Sequence, residues 1–585
     1  MPRIAVIEKE KCNPQACGNF LCIRLCPVNR TGKECIIEGE DKKAMIITEL
    51  CTGCGICPNR CPFDAISIIN LPDELAKQPI QQFGLNGFHL YNLPIPIFGK
   101  VVGILGVNGI GKSTAIKILA GMLKPNLGNI EENKEASWDD LITFFKGSEA
   151  QGYFEKVKNG EIKISYKPQQ VEGIPNQVKG TVKELLTKID EKGEFDKISK
   201  LLDLTHILDH DIKVISGGEL QRVAIAATVL RKANLYIFDE PTSFLDIKQR
   251  IKISQFIREL ADPETAVLVV EHDLIILDYM TDLVHLMYGK ENAYGIVSQP
   301  KTTRAGINTY LGGYLKQENM QFRNYRIVFE PKVDLGIKKT PQLTQWEKIT
   351  KKLDSFSIVA NSGDLKEEEV IGILGENGIG KTTFIKILAG VLTQDSGAID
   401  KGVRVSYKPQ YIKLSDELVI NILSKASTYH NQIIVPLKLE KLMNHKVSEL
   451  SGGQLQRVAI AECLSQEADL YLMDEPSAYL DAEQRLIVSK VIKDIMRIRA
   501  KTAVVIDHDL LFIDYLSDRL IVFDGVPAKH GEAKGPYTME EGMNMFLKDL
   551  NLTFRRDEES HRPRANKEGS QMDQKQKKEG RLYYS

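Results

Sequence analysis

Long apolar runs are missing from this 585-residue chain. No stretch approaches the ~18 consecutive apolar residues that a membrane-spanning helix needs, which argues against an integral membrane protein. The opening Met1-Pro-Arg-Ile lacks the build of a secretory signal, so a cytoplasmic protein is expected. Net charge is scarce as well: 77 Lys and Arg against 78 Asp and Glu leave −1. Contact with a polyanion would therefore have to come from local patches. Cysteine is nearly absent outside one segment, with nine of the ten between Cys12 and Cys61. That excludes a disulfide framework spread over the fold and points to metal or cluster chemistry in one small module. The tenth, Cys463, lies in the helical pattern Ala459-Ile-Ala-Glu-Cys-Leu and reads as a small buried apolar residue. What remains, 43 % hydrophobic and 26 % charged, suits a globular protein of roughly four units at ~150 residues each.

Glycine is present where it counts. Gly106-Val-Asn108-Gly109-Ile-Gly111-Lys112-Ser113-Thr114 follows the apolar run Val101 to Leu105 and leads into a helical pattern. Gly375-Glu-Asn377-Gly378-Ile-Gly380-Lys381-Thr382-Thr383 does the same after Val370 to Leu374. Strand, glycine loop, Lys, Ser/Thr, helix is a phosphate-binding loop. Its N–H groups and helix N-terminus suit phosphate oxygens; Lys112 and Lys381 would reach the β/γ-phosphates, and Ser113 and Thr382 would hold Mg²⁺. Gly103 to Gly121 and Gly372 to Gly390 agree at 16 of 19 positions, so the chain contains an internal duplication with two ATP sites.

Cys51-Thr-Gly-Cys54-Gly-Ile-Cys57-Pro-Asn-Arg-Cys61-Pro62 has the spacing of a bacterial ferredoxin run. Its partner is Cys12-x4-Cys17-x4-Cys22-x3-Cys26-Pro27. In such runs the fourth cysteine serves the other cluster. One 4Fe-4S cluster would then use Cys51, Cys54, Cys57 and Cys26, and the other Cys12, Cys17, Cys22 and Cys61. Cys35 is left as a non-ligand. Paired zinc sites are the alternative, although zinc pairs do not usually carry a third close cysteine and a Cys-Pro ending.

Further landmarks recur in order in both halves. Ser165-Tyr-Lys-Pro-Gln169 matches Ser406-Tyr-Lys-Pro-Gln410, and Ser216-Gly-Gly218-Glu-Leu-Gln-Arg222 matches Ser451-Gly-Gly453-Gln-Leu-Gln-Arg457. Asp239-Glu240-Pro matches Asp474-Glu475-Pro, Phe244-Leu-Asp246 matches Tyr479-Leu-Asp481, and Glu271-His272-Asp matches Asp507-His508-Asp. This ordered set resembles the ATP-binding cassette (ABC) ATPases. The resemblance implies that Asp239 and Asp474 bind Mg²⁺ and that Glu240 and Glu475 orient and deprotonate the attacking water. It implies that Gln169 and Gln410 sense the γ-phosphate beside Mg²⁺, and that His272 and His508 contact that phosphate. It also implies that each signature loop, Ser216 to Gly218 or Ser451 to Gly453, caps ATP held by the other half. Phe83, Phe88 and Phe356, upstream of the loops, are candidates for stacking on adenine, with core packing the plain alternative.

The halves differ in spacing. Lys to Gln is 57 residues in the first (112 to 169) and 29 in the second (381 to 410). The extra residues, about 131–160, read as a helix–turn–helix insert: Trp138, Leu141, Ile142 and Phe145 fall on one helical face. That face would pack on its own domain or dock a partner. Lys301 to Lys352 carries 11 basic residues against 4 acidic, and Arg555 to Arg581 carries 9 against 6. These stretches are expected to meet phosphate backbone, and the polar end beyond Gly569 is expected to be disordered in isolation.

The expected architecture is α/β: a small α+β ferredoxin-like two-cluster iron–sulfur domain (1–72), a first ABC ATPase domain (73–298), a basic hinge (299–344), a second ABC domain (345–525) and a C-terminal hinge and basic tail (526–585). With Leu93-Pro-Ile-Pro96 and Arg562-Pro-Arg-Ala-Asn-Lys567, the whole chain resembles ABC subfamily E, the ribosome-recycling RNase L inhibitor family. The resemblance implies a monomeric cytoplasmic ATPase that splits ribosomes after termination or rescue. It would act with a release factor or Pelota-type factor, remain on the small ribosomal subunit, and meet ribosomal RNA through the hinges and the insert. A transporter motor and an ATP-gated redox protein are the alternatives.

Overall fold

The structure, a computed structural model, describes residues 3–7, 12–39, 42–47, 50–63, 65–70, 77–83, 87–129, 135–318, 320–323, 325–329, 341–353, 355–400 and 402–583. The boundary expected at 72, the start of the insert near 131 and residues 330–340 of the expected hinge lie outside the described residues.

The two halves are built on one plan. In the first, strands run across the sheet in the order Gln81–Gln82, His89–Tyr91, Tyr294–Val297, Leu283–Lys290, Val101–Leu105, Ala266–Val270, Leu235–Asp239, Ile164–Lys167. The second repeats it: Ile349–Leu353, Phe356–Ala360, His530–Thr538, Arg519–Val526, Val370–Leu374, Thr502–Ile506, Leu470–Asp474, Val405–Lys408. Val101–Leu105 and Val370–Leu374 are central, paired in parallel on both sides, and all five residues of each are buried. Sheets covered by helices on both faces favour such continuous Val/Ile/Leu runs over alternation. Each phosphate-binding loop leaves the carboxyl end of its central strand and enters a helix, Lys112–Leu119 or Lys381–Leu388.

The N-terminal module has two antiparallel pairs, Arg3–Ile7 with Ile66–Asn70 and Ile36–Glu38 with Ala44–Ile46. Its short helices Leu21–Leu25, Pro27–Arg30 and Ile56–Arg60 carry or follow the cysteines. Its apolar core is thin: Ala5, Ile36, Ala44 and Ile66 with the sulfurs of Cys26, Cys35 and Cys57. So small a core needs help from bound metal.

The insert is a pair of helices, Trp138–Phe144 and Glu149–Lys158, broken at Gly147. Ser137 and Asp140 cap the first reciprocally. Leu141, Phe145, Ala150, Tyr153 and Phe154 sink into the core of the first half, and the Tyr153 hydroxyl donates to the Leu119 carbonyl at 2.7 Å. The apolar face therefore packs on its own domain, and only the polar outer face is left for a partner.

Two expectations about the ends need correcting. The second sheet does not stop at 525, because Arg519–Val526 turns back into His530–Thr538, which joins the sheet. Nor is the tail beyond Gly569 left disordered: it forms the helix Gln571–Glu579, whose Asp573 and Gln576 are buried on hydrogen bonds from Thr553 and Asn566. Tyr583 is buried beyond it, with its N–H donating to Asn544. Composition hid this because the anchoring contacts are polar and come from distant residues.

The hinge arginines are largely tied inside the molecule. Arg304 pairs with Asp557 at 2.8 Å and Arg323 with Glu483 at 3.2 Å. Arg562 and Arg564 both reach Asp278 (3.0 and 2.6 Å), while Arg556 reaches Asp514 at 2.8 Å. Asp278 and Asp514 occupy matching places on the equivalent helices Leu274–Met280 and Leu510–Leu516, which pack together. The hairpin Phe554–Arg556 with Pro563–Ala565 thus holds one carboxylate from each half.

Candidate nucleotide and cluster sites

In both loops the helix-leading glycine has a left-handed backbone, Gly111 at φ 90° and Gly380 at φ 96°. A Cβ there would also strike a ring, 2.6 Å from Phe88 and 2.9 Å from Phe356. Lys112 Nζ is buried and donates to the Gly106 and Val107 carbonyls, both at 2.8 Å. Lys381 Nζ donates to Gly375 (2.8 Å) and Glu376. Burial lowers the affinity of both for their protons, Lys381 to about 8, against the pull of nearby carboxylates.

Opposite each loop stands the Asp-Glu pair. Asp239 and Asp474 end fully buried strands, and burial raises both above the ordinary carboxylate value. Among the described residues neither carboxylate oxygen of Asp474 has a hydrogen-bond partner. A buried carboxylate beside Thr382 with unanswered oxygens fits a divalent cation.

Glu240 and Glu475 have left-handed backbones, φ 47° and 48°, a strained state for a non-glycine residue. Several groups hold them there. Gln169 Nε2 donates to Glu240 Oε1 at 2.7 Å and Gln410 Nε2 to Glu475 Oε1 at 2.9 Å. His272 Nε2 lies 3.3 Å from Glu240 Oε1, and His508 Nε2 3.5 Å from Glu475 Oε1. Burial works to raise both carboxyls, but the histidines and loop lysines prevail and hold them at about 2. Both are ionised at neutral pH.

Four supporting residues carry signals in the sequence that were not assigned a role. Lys167 Nζ, fully buried, donates to the carbonyls of Asp239 (2.9 Å) and Glu240 (3.2 Å), and Lys408 does so to Asp474 (2.7 Å) and Glu475 (3.2 Å). Gln221 and Gln456 Nε2 donate to the carbonyls of Glu240 and Glu475. All four sit in the repeated Ser-Tyr-Lys-Pro-Gln and Ser-Gly-Gly-x-Leu-Gln runs, so repetition was the signal.

The first cleft, about 480 Å³, is lined by Phe83, Phe88, Asn108, Gly109, Gly111, Lys112, Ser113, Thr114, Gln169, Glu240 and Asn292, all from the first half. Ser216 and Ser451 are exposed and cap their own helices, Gly217–Val229 and Gly452–Ser465. Two aspartates cross between the halves to reach the loop backbones, and Lys248 also crosses to pair with Glu376 of the second loop at 2.7 Å. Asp481 Oδ1 caps its own helix at Gln484 while Oδ2 accepts the Asn108 N–H at 3.0 Å. Asp246 does the same for Gln249 and Asn377, also at 3.0 Å. One carboxylate thereby couples each helix start to the opposite phosphate loop.

In the N-terminal module Cys57 lies within electrostatic reach of Cys51 and Cys54, and Cys22 of Cys12 and Cys17. Burial first, then the neighbouring sulfurs, pushes the Cys22 thiol to about 11 and the Cys57 thiol to about 12. Cys35 is buried against Cys26 and Cys51 and is likewise pushed to about 12. Among the described residues no three Cys, His, Asp or Glu side chains converge closely enough to hold a single metal ion, but the raised thiols of Cys22, Cys35 and Cys57 suit the neighbourhood of a cationic iron–sulfur core, which favours thiolates.

Both halves match the ABC transporter family model, over residues 97–243 and 360–478. Residues 2–34 match a Fer4-like domain described in RNase L inhibitor, and 44–67 a 4Fe-4S binding domain. The class is thus a twin-cassette ATPase with an iron–sulfur module. Within it, ABC transporter E family member 1 of Arabidopsis thaliana is 45 % identical over all of this chain and 99 % of its own. An archaeal ribosome recycling factor solved with the ribosomal stalk protein aP1 is 51 % identical, covering 87 % of this chain and 99 % of its own, with TM-score 0.83. A structure of ribosome-bound archaeal Pelota and ABCE1 includes a chain 52 % identical over 100 % of this chain and 99 % of its own, with TM-score 0.88. This chain belongs to the ABC E, or RNase L inhibitor, family. It binds ATP and iron–sulfur clusters and is an ATPase. Among the described residues no helix is long and apolar enough to cross a membrane.

Proposed function

We propose that this protein is a cytoplasmic, ATP-driven ribosome recycling factor that works beside a release or Pelota-type factor. Family membership and the recycling and Pelota complexes of its relatives support the biological role. The observation that carries the mechanism is the pair of crossing carboxylates, Asp246 and Asp481, which tie each phosphate loop to the other half.

In this reading Lys112 and Lys381 neutralise the β/γ-phosphates. Ser113 with Asp239, and Thr382 with Asp474, would hold Mg²⁺, which would supply neutralisation of the charge on the β- and γ-phosphates. The ionised Glu240 and Glu475 accept a hydrogen bond from the attacking water and take its proton as the new bond to the γ-phosphorus forms and the bond from that phosphorus to the β–γ bridging oxygen breaks, releasing ADP and phosphate. Gln169 and Gln410, already on those carboxylates, turn to the γ-phosphate and would hold Mg²⁺ beside it, and His272 and His508 follow that phosphate. Closure brings Ser451 to Gly453 over the first loop and Ser216 to Gly218 over the second. ATP favours the closed state because its charge meets the second half only there. The clusters supply folding free energy to a module with too small a core, and closure swings that module. Cys51, Cys54, Cys57 and Cys26 hold one cluster and Cys12, Cys17, Cys22 and Cys61 the other.

The test is co-sedimentation with small ribosomal subunits and, separately, with membranes, in a non-hydrolysable ATP analogue. Analogue-dependent recovery with subunits is expected. Recovery with membranes alone would overturn the recycling reading in favour of a transporter motor.

A further inference from the structure

The two nucleotide sites carry matching groups in their phosphate loops and unlike groups on the walls beside those loops. Phe88 and Phe356 hold equivalent places, each beneath the last glycine of its loop. Across the adjoining strand pair, Phe83 N–H donates to the Phe88 carbonyl at 3.0 Å, whereas Phe356 pairs with Leu353. Leu353 is therefore the counterpart of Phe83, which is 45 % exposed and lines the first cleft.

The facing wall differs in the same sense. Asn292 N–H donates to the Gly109 carbonyl and Ala528 N–H to the Gly378 carbonyl, each at 3.0 Å. Both residues have left-handed backbones, φ 57° and 60°. They are structural equivalents, yet Asn292 presents an amide to the first cleft and Ala528 presents a methyl group.

We propose that the first site discriminates among nucleobases, through stacking on Phe83 and edge recognition by the Asn292 amide, while the second holds its nucleotide by the phosphates and is indifferent to the base. The inference rests on the nucleotide reading above. Stacking on an aromatic ring accepts any base. Selection comes from the amide, since an asparagine donates and accepts in the pattern that adenine N7 and N6 present and guanine does not. Leu353 and Ala528 offer neither interaction. The chain thus demands ATP at one site and tolerates other nucleoside triphosphates at the other.

Full-length chains carrying Lys381→Ala or Lys112→Ala keep one working cradle each, and calorimetric titration with ATP and with GTP in Mg²⁺ reads each site alone. The first-site chain is expected to favour ATP by about tenfold or more. Adding Asn292→Ala should bring that ratio near one, and adding Phe83→Ala should weaken both nucleotides several-fold, about what one stacking contact is worth. Ala528 already occupies the same left-handed backbone, so alanine at 292 is compatible with the fold. The second-site chain should bind the two nucleotides within about threefold, and Leu353→Phe with Ala528→Asn should install the preference. Equal affinities in the first-site chain, or an unchanged ratio in Asn292→Ala, would overturn the proposal. Failure of both chains to bind either nucleotide is a different result, and it would overturn the ATPase reading together with this inference.

Discussion

Glu240 shows how a single side chain is prepared for its task. Its backbone is strained, its carbonyl is held by Lys167 and Gln221, and its carboxylate is met by Gln169 and His272. Glu475 repeats every one of these contacts with Lys408, Gln456, Gln410 and His508. Glu240→Gln with Glu475→Gln should keep these hydrogen bonds, trap ATP between the halves and slow hydrolysis by about 100-fold or more, as loss of a general base does. Filter-retained nucleotide and phosphate release measure the two effects, and unchanged occlusion would remove the proposed base role. A pH effect follows from the same site. The folded carboxyl sits at about 2 against an ordinary value of 4.5, so its ionised form stabilises the fold above pH ~4.5. That contribution, roughly 3 kcal/mol, is lost as pH falls through about 4.5 toward 2. The stability difference between the parent chain and Glu240→Gln should shrink over that window. Because both chains carry the same acid-labile module, the difference isolates the carboxyl.

At the scale of elements, the buried lysines explain why the strained Asp-Glu turn survives at the end of a strand. Lys167→Met replaces the ammonium by a thioether and leaves the Asp239 carbonyl without this donor, while Gln221 stays on the Glu240 carbonyl; a group left unsatisfied costs about 1–3 kcal/mol. The first half should melt earlier than the second, and hydrolysis should fall more than nucleotide binding. Scanning calorimetry with paired binding assays separates these effects. Lys408→Met should reverse which half melts first. The cysteine module makes its own prediction: anaerobic analysis should find about eight irons and eight sulfides per chain. Zinc without sulfide would replace clusters by four-cysteine zinc sites. Removal of the metal should unfold this module first, because its apolar core is so small.

At the scale of the molecule, contacts among the described residues that join the halves include the crossing aspartates, the packed helices Leu274–Met280 and Leu510–Leu516, the arginine-bearing hairpin, and the pairs Lys248–Glu376 and Arg323–Glu483. Arg562→Ala would take one of the two cations from Asp278 and a buried charge from the joint. Breaking one partner of such a buried pair costs about 3–5 kcal/mol, although Arg564 remains on Asp278 and softens the loss. The variant should sediment as a looser particle and bind each nucleotide with less coupling between sites. Unchanged coupling would show that the hairpin is a passive strap. Its arginines face carboxylates on the protein, so any contact of the hinges with ribosomal RNA falls to residues left outside, such as Lys316 and Arg326.

The sequence alone was enough for the twin phosphate loops, the paired cysteine runs, the Asp-Glu and His positions and the α/β class. Each of these is a local pattern whose chemistry demands particular residues at short spacing. Duplication made every pattern checkable against its copy. It was not enough for the role of Asp246 and Asp481, because a carboxylate that caps its own helix reads as an N-cap until the other half arrives. It hid the ordered tail and the internal pairing of the hinge arginines, since charge counts along a chain do not say which charges meet in space. It left the insert's apolar face undecided between domain and partner. And it could not align Phe83 with Leu353 or Asn292 with Ala528, because those pairs lie outside the repeated motifs. Only strand pairing and backbone hydrogen bonds place them opposite the same glycines.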